Sequence, residues 1–149
     1  MIALDANILV YAHRVEMEWH DAAAHAVTQA LEGSEAIGIP WQCIAEFLAA
    51  VTSPRIFSIP TPIGVVLDQV DAWRESPMIE MLSERESFGT FFAALVREAR
   101  VTGPRVHDAR IAAICLEHGV RELWTADRDF NRFPELRTRN PLVGATRGD

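Results

Sequence analysis

The chain has 149 residues, 49% of them apolar, and a formal net charge of −7. That length fits one domain, which can bury about two thirds of its unfolded surface without covalent staples, so residues 1–149 are read as a single domain. The negative charge excludes a protein that coats nucleic acid by bulk attraction. No apolar run approaches the roughly 20 residues of a membrane-spanning helix, so no membrane association is expected. The N-terminus has no basic stretch leading into an apolar core, so no secretory signal is expected either.

The charge is unevenly spread. Residues 1–99 hold 5 Arg and 14 acids, whereas residues 100–149 hold 9 Arg and 7 acids. All 14 basic residues are Arg. The guanidinium fork suits phosphate, which would let the C-terminal third hold a polyanion. A genome rich in Arg codons explains the absence of Lys equally well. Cys43 and Cys115 stand in apolar, helix-like contexts and read as buried free thiols, with a reducing, cytoplasmic setting as the default.

In chain order, Met1-Ile2-Ala3-Leu4-Asp5 reads as a short buried strand with a carboxylate at its C-terminal end. Ala6 to His13 is a helix, with Asn7 near its start. An Ala-rich helix follows over Trp19 to Leu31, with Gly33 just beyond it. Ala36 to Ile39 is a second buried strand, closed by Pro40. Trp41 to Val51 is a helix with Ile44, Phe47, Leu48 and Val51 at helical spacing. Thr52 to Pro62 contains three prolines and reads as a loop. Ile63 to Trp73 is helical, and Met78 to Leu82 is a short strand. Ser87 caps a helix running to about Arg100, and Thr102-Gly103-Pro104 breaks the chain. His107 to His118 is a helix stopped by Gly119. Glu122 to Thr125 is the last clear strand, and Asp127 follows it. Strands alternating with helices define an α/β domain with a mostly parallel sheet. In such sheets the working groups gather at the carboxyl ends of the strands.

Four acids stand out, each with an ordinary structural reading beside a functional one. Asp5, after a strand, is either a helix cap or a ligand. Glu46, flanked by apolar residues, is either the wet side of a helix or a site group. Asp108, at a helix start, suits the helix dipole as well as it suits a metal. Asp127 and Asp129, alternating after the last strand, fit a turn, a cap or a ligand set. None decides anything alone.

Taken together, four motifs resemble the PIN-domain family, most closely the VapC toxins of type II toxin–antitoxin modules. They are Leu4-Asp5-Ala6-Asn7-Ile8-Leu9-Val10, Ile44-Ala45-Glu46-Phe47, His107-Asp108-Ala109-Arg110-Ile111-Ala112-Ala113 and Thr125-Ala126-Asp127-Arg128-Asp129-Phe130. The resemblance spans nearly the whole chain, in the right order and at ordinary spacing. It implies a three-layer α/β/α domain with a mostly parallel central sheet. It also implies a metal-dependent endoribonuclease with Asp5, Glu46, Asp108 and Asp127 as its acidic quartet. The chain departs from the family pattern at Ala6, where Thr or Ser is frequent. Asp127 and Asp129 compete for the fourth place. Asp127 is favoured because it lies nearer the strand end, and Asp129 is read as a helix cap or supporting group, alongside Asn7 and Thr125.

Four carboxylates in one place repel each other unless a cation joins them. Mg²⁺ prefers oxygen ligands and keeps several waters, and Mn²⁺ is its natural substitute. The Cys and His residues lack zinc-ligand spacing. On this reading Asp5, Asp108 and Asp127 bind metal, and Glu46 binds metal or positions the attacking water. Hydrolysis would leave a 5′-phosphate and a 3′-hydroxyl. Arg105, Arg110 and Arg128 flank the acidic motifs and are candidates for RNA phosphate contacts. Trp19, Trp41, Phe57 and Trp73 serve either base stacking or core packing. The resemblance further implies a VapB-type antitoxin and a toxin homodimer. Ile56, Phe57, Ile59 and Ile63, around the Pro-rich loop, fit an interface or the domain's own core.

Rival enzyme classes fit poorly. Haloacid-dehalogenase-like phosphatases need a second Asp where this chain has Asn7. Response-regulator receivers need a Lys. There is no Gly-rich phosphate loop. The remaining alternative is a catalytically weak PIN-like module that binds RNA or protein without cutting.

Overall fold

The computed structural model describes residues 1–144. Five strands form one sheet: β1 (Ile2–Leu4), β2 (Ile37–Pro40), β3 (Ile79–Leu82), β4 (Glu122–Trp124) and β5 (Thr138–Arg139). Their order is β3-β2-β1-β4-β5, and every neighbouring pair is parallel. Six helices connect them: α1 (Ala6–His13), α2 (His20–Glu32), α3 (Trp41–Val51), α4 (Ile63–Glu75), α5 (Phe88–Ala99) and α6 (Arg105–Glu117). A 3₁₀ turn over Arg128–Arg132 joins β4 to β5.

The chain steps outward from β1 to β2 and β3, then returns across the sheet to β4 and β5. Parallel crossovers are right-handed, so this reversal puts α5 and α6 on the face opposite α1 to α4. The packing agrees: α1 lies against α2 and α3, α3 against α4, and α5 against α6. The three-layer α/β/α arrangement is therefore the one expected. Covering both faces of the sheet explains why β1, β2 and β4 are buried at every position. The reversal point lies between β1 and β4, and there the carboxyl ends of the strands open a crevice.

Local chemistry explains most element boundaries. Gly38 in β2 has no room for a side chain: a Cβ there would lie 2.7 Å from Leu82 Cδ1 and 2.9 Å from Met1 Sδ. Gly119, at φ +65°, supplies the left-handed residue that ends α6. Both thiols are buried and free. Helices α1 and α3 have the bounds expected from sequence.

Three features differ from the expectation. Ser87 precedes α5 but makes no capping bond; its hydroxyl donates to Glu117 Oε1 at 2.8 Å instead. Helix α6 starts at Arg105, two residues before His107, because Gly103 and Pro104 already accept bonds from Val106 and His107. The last strand is β5, which pairs with β4 through Leu123–Thr138 and Trp124–Arg139.

The aromatic residues divide. Trp73 packs on Phe47 with ring centroids 5.2 Å apart, and Phe57 is buried under the Arg14 guanidinium at 4.1 Å. Trp19 and Trp41 reach the surface. In the Pro-rich loop and the start of α4, Ile56, Ile59 and Ile63 are exposed while Phe57 folds inward. Among the described residues, no helix is long and apolar enough to cross a membrane.

Candidate active site

Asp5 directly follows β1 and caps α1, so its position is fixed by both elements. Its backbone N–H donates to the Trp124 carbonyl of β4 at 3.0 Å. The side chain is 4% exposed. Oδ1 accepts from the Ala6 N–H at 2.7 Å and from the Cys43 thiol at 3.6 Å. Oδ2 accepts from the Thr125 hydroxyl at 2.7 Å and from Asn7 Nδ2 at 2.9 Å. Burial pushes the Asp5 carboxyl above its ordinary value, and the Glu46 charge adds to that, while the bonds from Thr125 and Ala6 oppose it.

Thr125 joins the two strand ends. It is 3% exposed, follows β4, and accepts from the Asp127 N–H at 3.0 Å while donating to Asp5. Asn7 completes the junction. Its Nδ2 reaches Thr125 Oγ1 at 3.2 Å, and its Oδ1 accepts from the Ala126 N–H at 3.1 Å.

Asp127 is the cap of the 3₁₀ turn, its Oδ1 accepting from the Asp129 N–H at 2.9 Å. The cap is thus Asp127, so of the two roles expected of Asp129, cap or supporting group, the cap is excluded. Asp129 turns instead to Arg105, with which it forms an ion pair. Arg105 also lies 3.3 Å from Asp108 Oδ2 and 3.8 Å from Asp127 Oδ2. Asp108 sits inside the first turn of α6, not at its cap. Partial burial raises its carboxyl above the ordinary value, Arg105 opposes this, and the charges of Asp127 and Asp129 add to it.

Glu46 projects from α3 at the exposed edge of this group. Gln42, one turn earlier and largely buried, donates from Nε2 to Glu46 Oε1 at 3.0 Å and to the His107 carbonyl at 3.2 Å. Both partners are acceptors, so the amide orientation is determined. Gln42 thereby ties α3 to the start of α6, beside Asp108. Nothing in the sequence pattern singled it out, because a polar pair four residues apart on a helix reads as a solvent face.

The expected site residues thus converge as two linked groups. Asp5 and Glu46 form one; Asp108, Asp127 and Asp129 form the other around Arg105; Thr125 and Gln42 bridge them. Among the described residues no group of three or more acidic, His or Cys side chains is placed to hold a metal ion. A hard divalent cation does not need one, since Mg²⁺ keeps several waters and uses few carboxylates. The donor set is all oxygen, two of its acids, Asp5 and Asp108, are held above their ordinary pKa by burial, and the cationic Arg105 already sits among Asp108, Asp127 and Asp129. These residues fit such a cation.

The flanking arginines differ in placement. Arg110 pairs with Glu84 at 2.6 Å, away from the acids. Arg128 makes no ion pair among the described residues and lines an open cleft with Asp127, Asn131 and Arg139. Arg139, lying over Trp124 at 5.4 Å, arrives on β5 and was not a candidate from sequence.

A five-stranded parallel sheet with carboxylates at its switch point is the architecture of PIN domains, and the PIN-domain family model matches residues 2–136. The chain belongs to the PIN-domain family. Within it, the chain is similar along its length to VapC ribonucleases. It is 34% identical to VapC ribonuclease Mb2897 of Mycobacterium bovis, over 98% of this chain and 99% of the relative. It is 26% identical to ribonuclease VapC48 of Mycobacterium tuberculosis, over 94% and 97%. Among solved structures, the fold matches Rickettsia felis VapBC2 bound to a promoter DNA fragment, with a TM-score of 0.69, 21% identity and coverage of 94% and 98%. It also matches Mycobacterium tuberculosis VapC20, described as a sarcin-ricin loop cleaving toxin, with a TM-score of 0.63, 15% identity and coverage of 88% and 93%.

Proposed function

We propose that this protein is a Mg²⁺-dependent endoribonuclease that acts as the toxin of a VapBC-like module. The observation that carries this reading is the Asp5–Thr125–Asp127 junction at the sheet's switch point, with Glu46 and Asp108 brought to the same edge. Relatives at full coverage are named ribonucleases, and divalent-metal dependence is general among PIN-domain VapC nucleases. Mn²⁺ is the expected substitute.

In this reading Asp5, Asp108 and Asp127 hold the cation, with Asn7 and Thr125 fixing Asp5 and Asp129 supporting through Arg105. A bound divalent cation supplies charge for the phosphodiester oxygen and acidifies water. Glu46, held by Gln42 at the exposed edge, orients the attacking water or joins the cation's ligands. Arg128 faces the cleft beside Asp127 and is the best placed of the arginines for an RNA phosphate; Arg105 reaches one only if it leaves its acids, and Arg110 only if it leaves Glu84. Attack by water leaves a 5′-phosphate and a 3′-hydroxyl.

The partners that go with this reading are RNA, a VapB-type antitoxin and a second copy of the chain. Solved proteins of this fold include VapBC complexes. The exposed Ile56, Ile59 and Ile63 form an apolar surface of the kind proteins cover. A cytoplasmic setting accords with two free thiols.

Incubating the purified protein with several structured RNAs, in Mg²⁺ or in chelator, tests the function. Metal-dependent cutting is expected. Inertness toward every RNA in both conditions would favour a binding module without catalysis.

A further inference from the structure

We propose that Arg105 is a built-in counter-cation, which holds Asp108, Asp127 and Asp129 together in the metal-free protein and exchanges places with the divalent cation on binding. The inference rests on the metal-dependent reading above and adds how the site is kept intact before it is loaded. Three carboxylates converge on one guanidinium, at 3.3 Å from Asp108, 3.8 Å from Asp127 and in an ion pair with Asp129. Without a cation these acids would repel each other and splay the 3₁₀ turn away from α6.

The location of Arg105 is itself unusual. It is the first residue of α6, where the helix dipole disfavours a positive charge. The three acids offset that penalty, so the contact is the evident reason for an arginine at this position. The guanidinium cannot shed its proton, so it can make way only by moving. Its side chain is 43% exposed and sits at the rim, where it can swing outward without opening the core. Once displaced, it stands at the mouth of the site as a free fork for phosphate.

Metal affinity separates this role from bulk charge and from simple structural support. Mn²⁺ and Mg²⁺ would be titrated calorimetrically into the full chain as wild type, Arg105→Gln, Arg105→Lys and Arg110→Gln, with melting temperatures recorded in metal and in chelator. Removing a competitor worth about one multi-partner surface ion pair should tighten Mn²⁺ binding of Arg105→Gln roughly three- to tenfold. Its metal-free melting temperature should fall by roughly 2–4 °C. Arg105→Lys should stay within about twofold of wild type, because all three acids meet the one nitrogen Nη1 and not the bidentate fork, so a point charge can replace it. Arg110→Gln should match wild type, since its guanidinium faces Glu84. Equal or weaker metal binding by Arg105→Gln, or an equal gain in Arg110→Gln, would overturn the exchange while leaving the metal site standing. Absence of metal binding in all four proteins would overturn the exchange and the metal-dependent reading together.

Discussion

The hydroxyl of Thr125 donates a 2.7 Å hydrogen bond to a carboxylate oxygen of Asp5, a residue 120 positions earlier in the chain. The bond joins the ends of β4 and β1 across the point where the sheet reverses direction. It also accepts the Asp127 N–H, so one side chain sets two acids. Thr125→Val keeps the shape and removes the donor. That variant should lose about 1–3 kcal/mol in urea denaturation and roughly 10–100-fold in metal affinity or cleavage rate. Thr125→Ser should recover most of both.

Gln42 lies one contact away from the proposed chemistry, through its bond to Glu46. Gln42→Leu fills a similar volume and frees Glu46 from its 3.0 Å tether. The buried side-chain amide oxygen of Gln42 has no hydrogen-bond partner, so little stability should be lost. Steady-state kinetics on a defined RNA should report kcat reduced about tenfold with KM unchanged. A fall in KM-dependent binding alone would assign Gln42 to substrate rather than to Glu46.

Asp127 and Asp129 are separable by asparagine substitution. Asn caps a helical turn as well as Asp, so Asp127→Asn should fold normally while losing cleavage by about 100-fold or more. Asp129→Asn removes a contact to Arg105 and should cost about tenfold or less. Parallel cleavage assays with circular dichroism as the fold control would rank them.

Much of this site was legible in the sequence, because its acids lie within short local patterns. An apolar strand running into Asp5, and another running toward Asp127, mark one sheet edge from periodicity alone. Helices α1 and α3 have clean starts after a strand, and their bounds followed. The rest depended on contacts between distant segments. Arg105 reads as an ordinary basic residue until the fold brings Asp127 and Asp129 to it. Arg110 looks equivalent in sequence, yet Glu84 takes it away from the site. Strand β5 has two residues, too few to show any alternation. Ser87 has the right type and place for a cap, but Glu117 offers its hydroxyl a better partner.

A pH effect is expected far from the acids. Glu35 is held down to about 2 by the two-pronged bond from Arg121 and by the terminal amine of Met1. A carboxyl with a depressed folded-state pKa adds stability above its ordinary value and loses it as pH falls toward the depressed one. The stability gap between wild type and Glu35→Gln should therefore be full above about pH 4.5 and shrink toward pH 2. Urea midpoints of both proteins at neutral pH and at two acidic values would check it; a gap that widens on acidification would reverse the sign.

In the proposed mechanism everything turns on Asp5 as the anchor of a divalent-cation site for RNA hydrolysis. The most direct measurement compares wild type with Asp5→Asn on a structured RNA in Mg²⁺, with end-group analysis of the products and circular dichroism of both proteins. Wild type should yield 5′-phosphate and 3′-hydroxyl ends, and Asp5→Asn should be folded but inactive. Full cleavage by Asp5→Asn, or products ending in a 2′,3′-cyclic phosphate, would contradict that mechanism.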